Sequence, residues 1–159
     1  MAEIKNIKIV TVWKEGELVK ENIDFLRTPT KIVNFPISPQ VKKIIEDLET
    51  SFRSIPCAGL AANQLGYDRK IFVGMRHDRD LSTDDTSNNI DDIVPNPDNF
   101  EIYINPQIDK TDNKSTQVGA EGCLSIPGLS LNIERYDNIK VRYYSVEGKV
   151  VKKPLKGFI

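Results

Sequence analysis

The residues with the most chemistry in this 159-residue sequence lie in the run Glu121-Gly122-Cys123-Leu124-Ser125-Ile126-Pro127-Gly128. Cys123 follows a glycine, so one side of its thiol is open. A thiolate there could ligate zinc or iron, because soft sulfur suits those ions. The backbone N–H groups beside it could polarise a carbonyl. The plainer alternative is a buried cysteine at a strand edge, and residue types alone leave both open. Cys57 is the only other cysteine and His77 the only histidine. A small buried apolar role suits Cys57. His77 borders a very polar stretch and is expected to face solvent. With Cys123 as a nucleophile and His77 as its base, a cysteine hydrolase is a third and weaker alternative.

The bulk composition narrows the field. Hydrophobic residues make up 39% and charged residues 28% of the chain, and the formal net charge is −1. That describes a globular sequence of about one domain, residues 1–159, with no general attraction to nucleic acid or anionic membranes. Charges interrupt every apolar run near the N-terminus, and no run reaches transmembrane length. A cytoplasmic location is expected, where a Cys57–Cys123 disulfide is not.

Several elements must position the chemistry. The β-branched residues 4–12 predict a strand, followed by a turn at Lys14–Glu17. Ser38 can cap a helix and Pro39 suits its first position. Val41, Ile44, Ile45, Leu48 and Phe52 then form one apolar stripe, with charged residues on the remaining face. Residues 56–66 are rich in small side chains, as in a corner where backbone closely approaches backbone or ligand. Lys70–Gly74 predicts a short buried strand. Residues 76–98 hold seven aspartates against two arginines and predict an acidic surface loop. Glu101–Ile104 resumes strand, with Asn105-Pro106 expected to end it, and Lys110–Lys114 reads as a polar turn. Ile139–Val146, a turn at Glu147-Gly148, and Lys149–Val151 predict a hairpin. The fold class is therefore α+β, with short, mostly antiparallel strands and an N-terminal helix.

Two ordered motifs now carry a resemblance. Glu121-Gly122-Cys123-Leu124-Ser125 is similar at every position to the second motif of the peptide deformylases. The stretch from Ala58 to Gln64 is similar to their first motif, Gly-apolar-Gly-apolar-Ala-Ala-x-Gln. Cys57 stands where that motif has its first glycine, a departure that matters if the position needs positive φ. Asn105-Pro106 after a strand, and Arg135 after the second motif, also resemble the family. The resemblance runs over nearly the whole chain.

The resemblance implies metal-dependent hydrolysis of the formyl group on the N-terminal methionine of new polypeptides. Cys123 is then the thiolate ligand of Fe²⁺, or of Zn²⁺ or Ni²⁺ in its place. The Gln64 side-chain amide and the Leu124 backbone N–H are the two donors to the formyl oxygen. Backbone groups of Ala58, Gly59 and Gly122 hold the N-formylmethionyl peptide as an added strand. Glu121 and Arg135 support the loop. The family's third motif, His-Glu-apolar-Asp-His, supplies two more ligands and the general base from a central C-terminal helix. That motif is absent from these 159 residues. The expectation is a truncated deformylase-like domain with weak or no metal binding and no activity by itself. Its uncovered apolar face invites self-association. A non-catalytic peptide-binding homologue, or a remnant without function, is the alternative.

Overall fold

The computed structural model describes residues 8–76, 99–112 and 114–157. A minimal hairpin comes first, β1 (Trp13–Lys14) and β2 (Glu17–Leu18), followed by helix α1 (Lys20–Arg27) and helix α2 (Pro39–Ser54). Strand β3 (Gly59–Ala61) runs into a 3₁₀ helix, Ala62–Leu65, and then β4 (Ile71–Met75). The rest is strand: β5 (Phe100–Thr111), β6 (Thr116–Cys123), β7 (Ile126–Tyr136), β8 (Asn138–Tyr144) and β9 (Val150–Lys156).

Every described ladder is antiparallel. One sheet has the order β3-β4-β5-β8-β9, while β6 and β7 pair only with each other. The α+β expectation therefore holds. Among the described residues, no helix is long and apolar enough to cross a membrane.

Helix α2 forms as its sequence dictates. The Ser38 hydroxyl accepts the Val41 N–H at 3.2 Å, and Pro39 occupies the first turn where its missing N–H costs nothing. The stripe Val41, Ile44, Ile45, Leu48 and Phe52 is buried against Leu60, Ile71, Val73, Ile102 and Ile104 of the sheet. The opposite sheet face holds a second cluster of Tyr103, Val141 and Tyr143, with Phe72 stacked on Tyr103 at 4.5 Å between ring centroids. Glu101 accepts there from both the Tyr143 hydroxyl and the Lys153 ammonium. Burial, then the bond to Glu101, raises the Tyr143 pKa.

Some sequence expectations need correction. Of the strand expected over 4–12, the described part forms no ladder, because its N–H groups go to two different loops. Val10 donates to the Gln64 carbonyl at 2.8 Å and Val12 to the Ser125 carbonyl at 2.9 Å. Asn105-Pro106 does not end the strand at 104, since β5 continues to Thr111. The pairing of β5 with β8 shifts register between Ile104 and Gln107, so Pro106 falls where the ladder is interrupted anyway. Helix α1 was not anticipated at all. The acidic segment and His77 fall outside the described residues, Arg76 excepted, as do residues 4–7, Phe158 and Ile159.

Candidate functional site

The first half of the site begins at the edge of the large sheet. Strand β3 pairs with β4 on one side only, and the Ala58 carbonyl accepts the Met75 N–H at 2.9 Å. Ala58 and Gly59 are exposed, and Leu60 between Gly59 and Ala61 is buried. A Cβ at Gly59 would stand 3.3 Å from the Val73 carbonyl oxygen, a tight approach that glycine avoids. Cys57 is half-buried against the core, and burial pushes its thiol pKa up. Among the described non-glycine residues, positive φ occurs at Glu15 and Asn105. Cys57 therefore sits in ordinary backbone, and its replacement of the motif glycine strains nothing.

The 3₁₀ helix then aims Gln64. The Ala61 N–H donates to Gln64 Oε1 at 2.9 Å. A backbone N–H can only donate, so the side-chain atom facing it is the carbonyl oxygen. The amide nitrogen must point the other way. It lies 3.3 Å from Ser125 Oγ and 3.7 Å from Cys123 Sγ. Gly66, with φ of 86°, closes the turn behind it.

The second half is the tip of the β6–β7 hairpin. Cys123 pairs with Ile126, and Leu124 and Ser125 form the two-residue turn between them. Leu124 packs on the main core cluster, whereas Cys123 is exposed. The Ser125 side chain is buried at 3% exposure, unusual for a polar group unless it is hydrogen-bonded. Further along the hairpin, the Arg135 guanidinium donates to both Glu121 carboxylate oxygens, at 2.9 and 2.8 Å. Both lie on one face of the hairpin, with the Gly119–Ile133 pair between their positions. Gly119 lies between them with no side chain and open space around it, leaving room for the fork. This partner, through the hydrogen bond first, lowers the Glu121 pKa and raises that of Arg135.

The structure thus brings Gln64, Cys123, Leu124 and Ser125 to one place, with the exposed edge Ala58–Gly59 belonging to the same strand–turn unit as Gln64. Comparison with known proteins gives the family of the chain. The family profile described as Polypeptide deformylase matches residues 16–159. Peptide deformylase 1 of Bacillus cereus is 32% identical over 144 residues, covering 90% of this chain and 78% of that protein.

The chain belongs to the peptide deformylase family.

Solved deformylases share its architecture. The Thermotoga maritima enzyme superposes with a TM-score of 0.64 at 31% identity, covering 84% of this chain and 76% of the other. The class I type b deformylase of Acinetobacter baumannii, in a structure bound to Met-Ala-Ser, gives 0.70 at 22% identity over 94% and 85% of the two chains.

Deformylases are metal-dependent. Among the described residues, no three His, Cys, Asp or Glu side chains stand close enough to share an ion. Cys123 offers one sulfur, where a catalytic site of the zinc type takes three protein ligands and an open position. These described residues by themselves do not fit a catalytic metal. Sequence reading missed Ser125 as a partner of Gln64. The signal was there, since a serine beside a cysteine motif has a hydroxyl to satisfy, but its partner is 61 residues away.

Proposed function

We propose that this chain binds the N-formylmethionyl end of a polypeptide and polarises its formyl carbonyl, the work of one half of a deformylase site. The observation that carries the reading is the Gln64 amide. Its oxygen is tied off by Ala61, and its nitrogen is offered toward Cys123. An N–H donor held in that way needs no reorganisation to meet charge that develops on a carbonyl oxygen. The Leu124 backbone N–H, one residue past Cys123, is the second donor of the pair. Ala58, Gly59 and Gly122 give the peptide backbone its hydrogen-bonding edges. Glu121 and Arg135 hold the hairpin that carries Gly122, Cys123 and Leu124.

Cys123 corresponds to the family's thiolate ligand, for Fe²⁺ or for Zn²⁺ or Ni²⁺. The other two ligands and the general base of the His-Glu-x-x-His motif are not among these 159 residues. Recognition and carbonyl activation are therefore assigned to the chain, and turnover is not. We propose the cytoplasm as its compartment.

Calorimetric titration with formyl-Met-Ala-Ser and with Met-Ala-Ser tests the reading. The formylated peptide is expected to bind more tightly. Gln64→Leu is expected to reduce that preference about 5-fold, the worth of one hydrogen bond. Equal affinity of the wild-type chain for both peptides contradicts the proposal. So does a preference that survives Gln64→Leu intact.

A further inference from the structure

Gln64 and the Cys123–Leu124 pair belong to different parts of the molecule. Gln64 follows the edge strand of the five-stranded sheet, while Cys123 and Leu124 end a hairpin whose ladder bonds are all internal. Two donors act on one oxygen only if their separation is held to a fraction of an ångström. Something must join the two halves.

Beside the packing of Leu124 on the main core, a short run of specific bonds makes the join. Val10 N–H meets the Gln64 carbonyl, and two residues later Val12 N–H meets the Ser125 carbonyl. The same Ser125 turns its hydroxyl to the Gln64 amide nitrogen at 3.3 Å. The segment carrying the two valines is itself anchored. The Val12 carbonyl accepts the Val19 N–H at 2.8 Å, and the Thr11 carbonyl accepts the Asn22 side-chain amide at 2.8 Å. Ile9 packs on the main core cluster. Ser125 is thus gripped through its carbonyl from outside while its buried hydroxyl reaches inward.

We infer that Ser125 is a positioning residue for the carbonyl-activating pair, and that the Val10–Val12 segment is the brace that holds it against Gln64. The Gln64 amide has two protons. One is engaged by Ser125 Oγ, which fixes the plane of the amide; the other remains directed to the Cys123 side, where the formyl oxygen is proposed to bind. Without the Ser125 hydroxyl, the plane is left to the Ala61 bond and the longer 3.7 Å contact with Cys123 Sγ, which hold it less firmly. The inference rests on the proposed function for its purpose, but not for its geometry.

The test uses the full 159-residue chain labelled with ¹⁵N, following water exchange of the Gln64 side-chain amide by NMR. In the wild type it is expected to exchange more slowly than the exposed amides of Gln40 and Gln107. Equal rates overturn the inference without any variant. Ser125→Ala is expected to speed Gln64 side-chain exchange about 5-fold, with α2 and β4 backbone amides unchanged as the check on folding. Ser125→Thr, which keeps the hydroxyl, is expected to restore slow exchange. Val12→Pro deletes the brace N–H and is expected to act like Ser125→Ala, whereas Val12→Ala keeps that N–H and is not. Unchanged Gln64 exchange in Ser125→Ala, or matching rates in the two Val12 variants, overturns it.

Peptide titration adds a readout that a general loss of stability does not produce. Ser125→Ala is expected to weaken binding of formyl-Met-Ala-Ser and leave Met-Ala-Ser unchanged. An intact formyl preference in that variant also overturns the inference. A wild-type chain with no formyl preference removes the functional reading instead, and the Gln64 exchange rates still decide the positioning role.

Discussion

At the scale of single residues, Glu121 shows how position selects among the roles a carboxylate can play. Two residues from a thiol, it could serve as a base or as a tether. Bidentate contact with Arg135 makes it a tether, because a carboxylate held ionised by a guanidinium is a poor proton acceptor. The sign of its pH effect follows. Its folded pKa is lowered, so its contribution to stability is fully present above the ordinary glutamate value, about 4.3, and is lost as pH falls through the lowered folded value. Arg135 is 61% exposed, so solvent and salt keep the contribution small. A ¹³C titration of the Glu121 carboxyl is expected to give a midpoint below the ordinary value. In Arg135→Ala that midpoint is expected to return to the ordinary range. Coincident midpoints in the two proteins contradict the tether. The sequence motif revealed Glu121 and Cys123 because they are contiguous. It did not reveal the Ser125 hydroxyl bond to Gln64, or the Ala61 N–H that sets the direction of the amide, since both depend on how two loops meet.

At the scale of elements, legibility tracked how far each element's own residues decide its conformation. Helix α2 was readable from Ser38 onward because cap, proline and apolar stripe all agree. Helix α1 was not, since it has eight residues, no side-chain cap at Val19 and no fully buried residue. The β6–β7 hairpin also escaped detection, since Gly119, Gly122 and Gly128 dilute any strand pattern there. Asn105 misled for a different reason. It has φ of 50°, which asparagine tolerates better than most residues, and its amide replaces a strand partner for Val33. Val33 N–H donates to Asn105 Oδ1 at 2.8 Å, and Asn105 Nδ2 donates to the Val33 carbonyl at 2.9 Å. Asn105→Ala leaves both groups of a buried residue unpaired and keeps an unfavourable φ, so a loss of about 2–4 kcal/mol is expected in urea unfolding. Asn105→Gly relieves the φ and is expected to lose less. No loss in the alanine variant sinks this account. For comparison, Leu48→Ala in the stripe of α2 is expected to cost about 2–5 kcal/mol, since Leu48 is 0% exposed. Leu131→Ala, 53% exposed on β7, is expected to stay within about 0.5 kcal/mol of wild type.

At the scale of the whole molecule, family membership and catalytic competence rest on different residues. Membership is carried by the profile match over residues 16–159 and by 32% identity to a known deformylase over 144 residues. Competence in metal-dependent hydrolysis needs several donors around one ion and a base beside it. Histidine occurs once in these 159 residues, at His77, and two imidazoles at fixed spacing cannot be drawn from one. A lone thiolate also binds a divalent ion far more weakly than a three-ligand site, because each further ligand attaches to an ion already held in place. The 159-residue chain supplied with Fe²⁺, Zn²⁺ or Ni²⁺ is therefore expected to release no formate from formyl-Met-Ala-Ser. A chelator is expected to leave its melting temperature unchanged, since no ion is expected to stabilise the folded state. Formate release that disappears on chelation and in Cys123→Ala would overturn this expectation. In that event Cys123 is a working ligand. Without such turnover, the proposed role of the chain rests on the Gln64 amide, held between the Ala61 N–H and the Ser125 hydroxyl.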